Sequence, residues 1–320
     1  MFVGTLRVLL QNVLKPIIHV SIMCEQVRIF MKFYSFVRES APRVLQYKPS
    51  KDGKQEHNLY PTITHYTFFL FAPVLIYRDS YPRRKEVNYK FALAQLFKFF
   101  ACLFIGYSGT LRFLVDVFRT TGITPFTLKE LSLMYAGSMV IGALSMFVIF
   151  YAILHSWLNF FAEILRFADR EFYQDWWNST SFSHYYRKCN TVVHDWLYTY
   201  IYVETINAGL SRSAALMAVF FVSSLVHEYI IALSLGFFYP IMAVMNLTVG
   251  VPLTILTHKK TGQFWNTFMW SMLFSGWGLI IIFYTFEWHA RSNCKGLEDP
   301  VLDFCIPRSW SASCNVIAFS

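Results

Sequence analysis

The stretch LMAVFFVSSLVHEYIIALSLGFFY, from Leu216 to Tyr239, sinks one histidine, His227, into an apolar run. The run is long enough for a helix to cross a hydrocarbon core of about 30 Å, and it lacks the period-two alternation of a barrel strand. An ionisable group at bilayer depth costs on the order of 2.5–3.5 kcal/mol on insertion scales unless a partner or a wet cavity receives it. Upstream lies FYQDWWNSTSFSHYYRKCNTVVHDWLY, from Phe172 to Tyr198, which is polar and rich in rings. The two stretches together read as an active site.

The surroundings are those of a membrane protein. Of 320 residues, 55% are hydrophobic and only 15% charged, which excludes an ordinary soluble domain. Met134 to Leu154 carries no charge and suits one span. Further spans are predicted near Phe91 to Val115, Ala214 to Leu235, Ile241 to Leu256 and Trp265 to Tyr284, with a flawed one near Val8 to Met23 that Lys15 and Pro16 interrupt. That last segment lacks the charge-then-apolar order and small-residue cleavage site of a removable signal peptide. Thr62 to Tyr77 is apolar but short, and reads as half-inserted or packed against other helices. Spanning helices satisfy their own backbone in lipid, so the expected fold is an all-α, polytopic transmembrane helical bundle. No linker, repeat or low-complexity run divides it, so residues 1–320 read as a single domain.

The net charge of +9 forms no continuous stripe, which argues against a nucleic-acid partner. Arg78, Arg83, Arg84, Lys85 and Lys90 occupy one inter-span segment. Arg166, Arg170, Arg187, Lys188 and Arg212 occupy a second, and Lys259 with Lys260 a third. Lys and Arg collect in cytoplasmic loops, and an even number of predicted spans between the segments puts all three in the cytosol. One more span carries the tail, Cys294 to Ser320, to the opposite, lumenal side. An oxidising compartment there permits a disulfide among Cys294, Cys305 and Cys314. Cys24, Cys102 and Cys189 read as reduced, buried thiols.

The residues Phe172-Tyr173-Gln174-Asp175-Trp176-Trp177-Asn178 resemble the FYxDWWN box of the membrane-bound O-acyltransferase superfamily, in its neutral-lipid branch. The continuation to Tyr198, the segment FLFAPVLIYRDSYPR from Phe69 to Arg83, and the downstream VHEY and PRSW are similar to the sterol O-acyltransferases, over blocks from about Cys24 to Trp310. The triplet His194-Asp195-Trp196 and the box YRDSYPR favour sterol over the diacylglycerol relatives. The resemblance implies an endoplasmic-reticulum enzyme and a homo-oligomer. Its partners are a fatty acyl-CoA, cholesterol or another sterol, and the lipid bilayer. It needs no cofactor, since acyl-CoA is a substrate. It also implies that Cys294 pairs with Cys314. Family members carry a polar leader and further spans before the point where similarity begins, so the chain reads as N-terminally short.

His227 then has a simple chemical task. A sterol hydroxyl is a poor nucleophile, and an imidazole near neutral pKa can take its proton as the oxygen attacks a thioester. Ser223 and Ser224 lie on the same helical face. The bland alternative is a histidine that glues helices together by hydrogen bonds. Asn190 matches the superfamily asparagine that accompanies the histidine and would donate to the thioester oxygen as it gains charge; taken alone, it is a cap or turn residue. By the same resemblance Tyr186, Arg187, His194, Tyr202, Arg212 and Ser223 bind acyl-CoA or border the chamber, and the guanidinium of Arg187 suits phosphate. Trp176 and Trp177 are expected at a tunnel wall or interface, with Asp175 bonding backbone or a basic neighbour.

Two departures stand out: Arg212 replaces a family lysine, and Cys189 replaces a tryptophan just before Asn190. His184, Cys189 and His194 do not have the spacing of zinc ligands, so no metal is implied. The rival readings are a diacylglycerol or fatty-alcohol O-acyltransferase and a catalytically silent membrane protein.

Overall fold

A computed structural model describes residues 16–46, 61–109, 112–113, 116–311, 314 and 316. Its helices, numbered along the chain, are α1 (Pro16–Gln46), α2 (Ile63–Phe71), α3 (Tyr89–Gly109), α4 (Leu128–Ile164) and α5 (Phe182–Cys189). They continue with α6 (residues 191–207), α7 (Arg212–Leu235), α8 (Ile241–Leu256), α9 (Gln263–Asn293) and α10 (Pro300–Cys305). No strand forms among the described residues; a lone antiparallel bridge joins Arg83 to Phe167.

Helices α3, α4, α7 and α9 are long and apolar enough to cross a membrane, and α8 is a shorter apolar helix. They coincide with the predicted spans and extend several of them. Residues 110–111 and 114–115, at the end of the first predicted span, lie outside the described residues. Local signals set the ends. Thr127 and Glu130 form a reciprocal cap at the start of α4. Ser211 Oγ accepts the Ala214 N–H at the start of α7, and Gly236, at φ 79°, closes that helix.

The weak span expected near Val8 to Met23 lies in large part, over residues 8–15, outside the described residues. From Pro16 the chain forms α1, which carries Glu25, Arg28 and Lys32 and is not among the spanning helices. Two of these charges have distant partners. The buried Lys32 ammonium donates to the carbonyls of Phe69 and Ala72, and Arg28 donates to that of Leu70. These cations satisfy carbonyls that the short helix α2 leaves open at its C-terminus.

The centre of the bundle is the α4–α9 pair. Gly142 and Gly278 let the two helices approach closely: a Cβ on Gly142 would stand 2.9 Å from the Trp277 carbonyl carbon, and one on Gly278 would stand 3.0 Å from the Met139 backbone. Small residues at such crossings allow dense van der Waals packing in lipid.

Loops gather at two ends. At one, Arg84 N–H donates to Arg166 O (2.7 Å), Thr180 Oγ donates to Lys260 O (2.8 Å) and Phe182 N–H donates to Thr257 Oγ (3.0 Å). The basic segments identified in the sequence are brought together there. At the other, Asn293 donates to Thr121 O (2.8 Å) and Phe126 N–H to Val316 O (2.9 Å). Cys294 and Cys314 are bonded in this second cluster, with Cα atoms 5.5 Å apart, and Cys305 is free and exposed.

Candidate active site

His227 lies on α7 one turn beyond Ser223. Its Nδ1 stands 2.7 Å from the Ser223 carbonyl oxygen. A carbonyl only accepts, so Nδ1 carries the hydrogen, and in the neutral ring the lone pair falls to Nε2. The Ser223 hydroxyl is farther, at 3.5 Å, and contributes little. The backbone of one helical turn thus selects the tautomer that a general base requires.

Asn190 is the hinge between α5 and α6. Its Oδ1 accepts the Val193 N–H at 3.1 Å and caps α6, which leaves the Nδ2 donors for a ligand. The ring-rich box holds this hinge in place. Thr191 N–H donates to Phe172 O (3.1 Å), Gln174 N–H to Lys188 O (2.8 Å), and Lys188 pairs with Asp175 at 2.7 Å.

A cavity of about 550 Å³ unites these groups. His227, Ser223 and Asn190 line it, and so do Tyr186, Arg187, His194 and Tyr202. Apolar side chains of α8 and α9, among them Met245, Val249 and Trp277, supply much of the remaining wall. A large, mostly apolar hollow with a few convergent polar groups is the ordinary form of a lipid or cofactor site.

Along one side runs a ladder of rings. His194 stacks on Tyr198 with centroids 6.1 Å apart, and Tyr198 on Tyr202 at 5.4 Å, each pair inclined by 14°. A π-helical turn over Tyr198–Tyr202 carries the ladder, and such turns recur at functional sites. Tyr198 was not singled out in the sequence. Its signal was the four-residue spacing from His194 and to Tyr202, which a ring-rich segment hides. Asn246 and Gly250 of α8 were missed as well, because another π turn, Asn246–Gly250, sets their direction.

Burial shapes the titration of two α5 side chains in the cavity lining. It pushes the Cys189 thiol up to about 11 and the Tyr186 phenol up to about 12. Cys189 therefore remains a neutral thiol at physiological pH and is a poor nucleophile.

Three expected site residues lie outside the cavity lining. Trp176 is buried against Phe150, Tyr185 and Trp270. Trp177 is 43% exposed, and its carbonyl accepts from Asn266 and Trp270. The box is thus a brace between α4, α5 and α9. Arg212 is exposed in the first turn of α7. Among the described residues, no three His, Cys, Asp or Glu side chains gather to hold a metal ion.

Residues 11–286 match the family described as MBOAT, membrane-bound O-acyltransferase family. The chain is 43% identical over 307 residues to sterol O-acyltransferase 1 of Mus musculus, covering 95% of this chain and 56% of that protein. It is 44% identical over 311 residues to sterol O-acyltransferase 1 of Chlorocebus aethiops, covering 96% and 56%. With sterol O-acyltransferase 2 of Homo sapiens it shares 42% over 313 residues, covering 95% and 58%. The chain thus spans a little over half the length of these curated relatives.

Proposed function

Because the chain belongs to the membrane-bound O-acyltransferase family, we propose that it moves a long-chain fatty acyl group from acyl-CoA to the 3-hydroxyl of a sterol such as cholesterol. Steryl ester and CoA are the products. The observation that carries this reading is the 2.7 Å contact of His227 Nδ1 with the Ser223 carbonyl, in the cavity that Asn190 also lines.

Each step follows from the groups present. Nε2 of His227 takes the hydroxyl proton as the sterol oxygen attacks the thioester carbonyl carbon. The former carbonyl oxygen becomes an oxyanion, and Asn190 Nδ2 donates to it. Collapse of the tetrahedral intermediate breaks the carbon–sulfur bond, and the departing CoA sulfur takes the proton back from Nε2. Arg187 receives phosphate, and the ladder of His194, Tyr198 and Tyr202 offers faces on which a planar base can stack. The transfer is direct. Cys189 is the thiol in the lining, and its neutral form does not compete for the acyl group.

The acceptor is assigned from the names of the relatives and from the HDW and YRDSYPR segments. In this reading the enzyme is a homo-oligomer of the endoplasmic-reticulum membrane. Its basic end faces the cytosol, where acyl-CoA is found, and its disulfide-bonded end faces the lumen. The gathering of basic loops at one end and a disulfide at the other supports that orientation.

The test is microsomal expression with labelled oleoyl-CoA offered to cholesterol, diacylglycerol and a fatty alcohol in turn. Label should enter steryl ester above background, and His227→Ala should remove it. Label in triacylglycerol or wax ester alone would replace the acceptor while keeping the chemistry. No product from any acceptor would defeat the reading.

A further inference from the structure

The loop entering α3 and the loop leaving α4 bring together cations that lie far apart in sequence. Arg84 N–H donates to Arg166 O at 2.7 Å, and Ala168 N–H donates to Pro82 O at 3.0 Å. The Arg166 guanidinium donates to Lys85 O at 3.2 Å, across 81 positions. Arg83, Arg84, Lys85 and Arg166 thereby form one knuckle, with Lys90 beside it at the start of α3, and all five are exposed.

The nearby buried acid, Glu163, engages only one of them, Arg84, and at long range. The Glu163 side chain, 1% exposed, turns inward to Arg170 at 2.6 Å and to the Asn88 N–H at 2.7 Å, and Arg84 reaches it only at 3.6 Å. Of the exposed acids of these loops, Asp79 pairs with Arg43 and Asp175 with Lys188, which leaves Glu86, Asp169 and Glu171, three against five cations. Among the described residues Arg83, Lys85, Lys90 and Arg166 make no ion pair.

The location decides what the charge meets. Helix α3 begins at Tyr89 and α4 ends at Ile164, and both side chains are exposed, at 75% and 45%. An exposed tyrosine at the end of a span marks the membrane–water boundary. The knuckle stands immediately outside it, at headgroup level, where long basic side chains reach phosphate while their stems stay over apolar surface. None of its five cations lines the catalytic cavity.

We propose that this knuckle binds the headgroup phosphates of anionic phospholipids in the leaflet at the basic end of the bundle. Fixed cations held by backbone pairing present a preformed site, so binding does not require the loops to order themselves.

The experiment uses the full chain in nanodiscs of equal phosphatidylcholine and phosphatidylserine, with native mass spectrometry of the lipids retained on release. Phosphatidylserine should be retained severalfold over phosphatidylcholine. The preference should fade as salt rises toward about 1 M, where charge is screened within a few ångströms. Replacing Arg83, Arg84, Lys85 and Arg166 together by Gln should bring the ratio to parity, with helicity by circular dichroism unchanged. An unchanged preference in that variant would overturn the proposal. So would equal retention of the two lipids by the wild type. Loss of retained phosphatidylserine on adding excess free CoA would assign the knuckle to nucleotide phosphate and overturn it as well. If the variant does not fold, the wild-type lipid ratio, salt series and CoA competition still decide.

Discussion

The Nδ1 of His227 lies 2.7 Å from the carbonyl oxygen of Ser223, while the Ser223 hydroxyl lies 3.5 Å away. The backbone, rather than the side chain of the serine, therefore orients the imidazole. His227→Ala is expected to abolish ester formation at normal expression. Ser223→Ala, which keeps the carbonyl, should lower turnover by less than about tenfold, below the cost of losing a catalytic group. Parallel microsomal assays of the two variants decide this. Equal loss in both would mean that the hydroxyl is the orienting group.

Asn190 joins two tasks that substitution can separate. Asn190→Ala removes the cap and the amide donor together, and should reduce turnover by roughly 10²–10³-fold with about 1 kcal/mol of lost stability. Asn190→Asp caps α6 equally well but donates nothing, so it should keep the melting temperature and still lose the turnover. Normal turnover at saturating acyl-CoA in the Asp variant would show that the amide donor is not needed.

Cys189 lines the cavity next to Asn190, where the family resemblance expects a tryptophan. Cys189→Trp should narrow the range of accepted substrates, with the bulkiest acyl chains or sterols losing most, because an indole fills space that a thiol leaves open. Competition assays with mixed acyl-CoAs and mixed sterols measure it. Identical product ratios for the two forms would remove this position from selectivity.

Gly278 faces the Met139 backbone so closely that a Cβ would come within 3.0 Å of it. Gly278→Val should destabilise the protein by about 1–3 kcal/mol, the usual cost of overpacking, and should disturb Trp277, the adjacent cavity residue. Thermal melting in detergent reads the first effect. An unchanged melt would show that α4 and α9 separate without penalty.

The tail should release in acid. The Arg308 guanidinium, 2.7 Å from Asp303, holds that carboxyl at about 2, below its ordinary value of about 3.9. A lowered carboxyl pKa stabilises the fold fully above the ordinary value, and that contribution is lost as pH falls through about 2. Trp310 rests on Tyr239 with centroids 5.4 Å apart, so indole fluorescence should change between about pH 4 and pH 2. A flat signal across that window would detach the tail from this ion pair.

Much of the fold was legible because hydropathy is a local property. The weak points share one cause. Hydropathy ends the last span near Tyr284, yet α9 runs on to Asn293, since Glu287 is fully buried with Arg291 at 2.7 Å and accepts the N–H groups of Arg308 and Ser309 at 3.0 Å. Those partners come from the tail. Lys32 tells the same story for α1, where a buried charge is satisfied by carbonyls 37 and 40 positions away. Of the candidate site, the resemblance named Tyr186, Arg187, Asn190, His194, Tyr202, Ser223 and His227, which share the cavity, while the wall from α8 and α9 went unread. It also named Trp176, Trp177 and Arg212, which lie outside the lining of that cavity.

The sequence by itself determined that the chain crosses a membrane as helices and that one of them carries a histidine at depth, because length, apolarity and four-residue spacing follow from the geometry of a single helix. It also placed Ser223 one turn before His227. Only the tertiary structure decided that Asn190, on a separate hinge, borders the same cavity as His227, and that the rings of α6 stack along its wall. Contacts between separate helices depend on which faces pack and on where π turns redirect side chains. Those choices are made by the close α4–α9 crossing, by the brace around Trp176 and by distant capping partners, none of which a local pattern encodes.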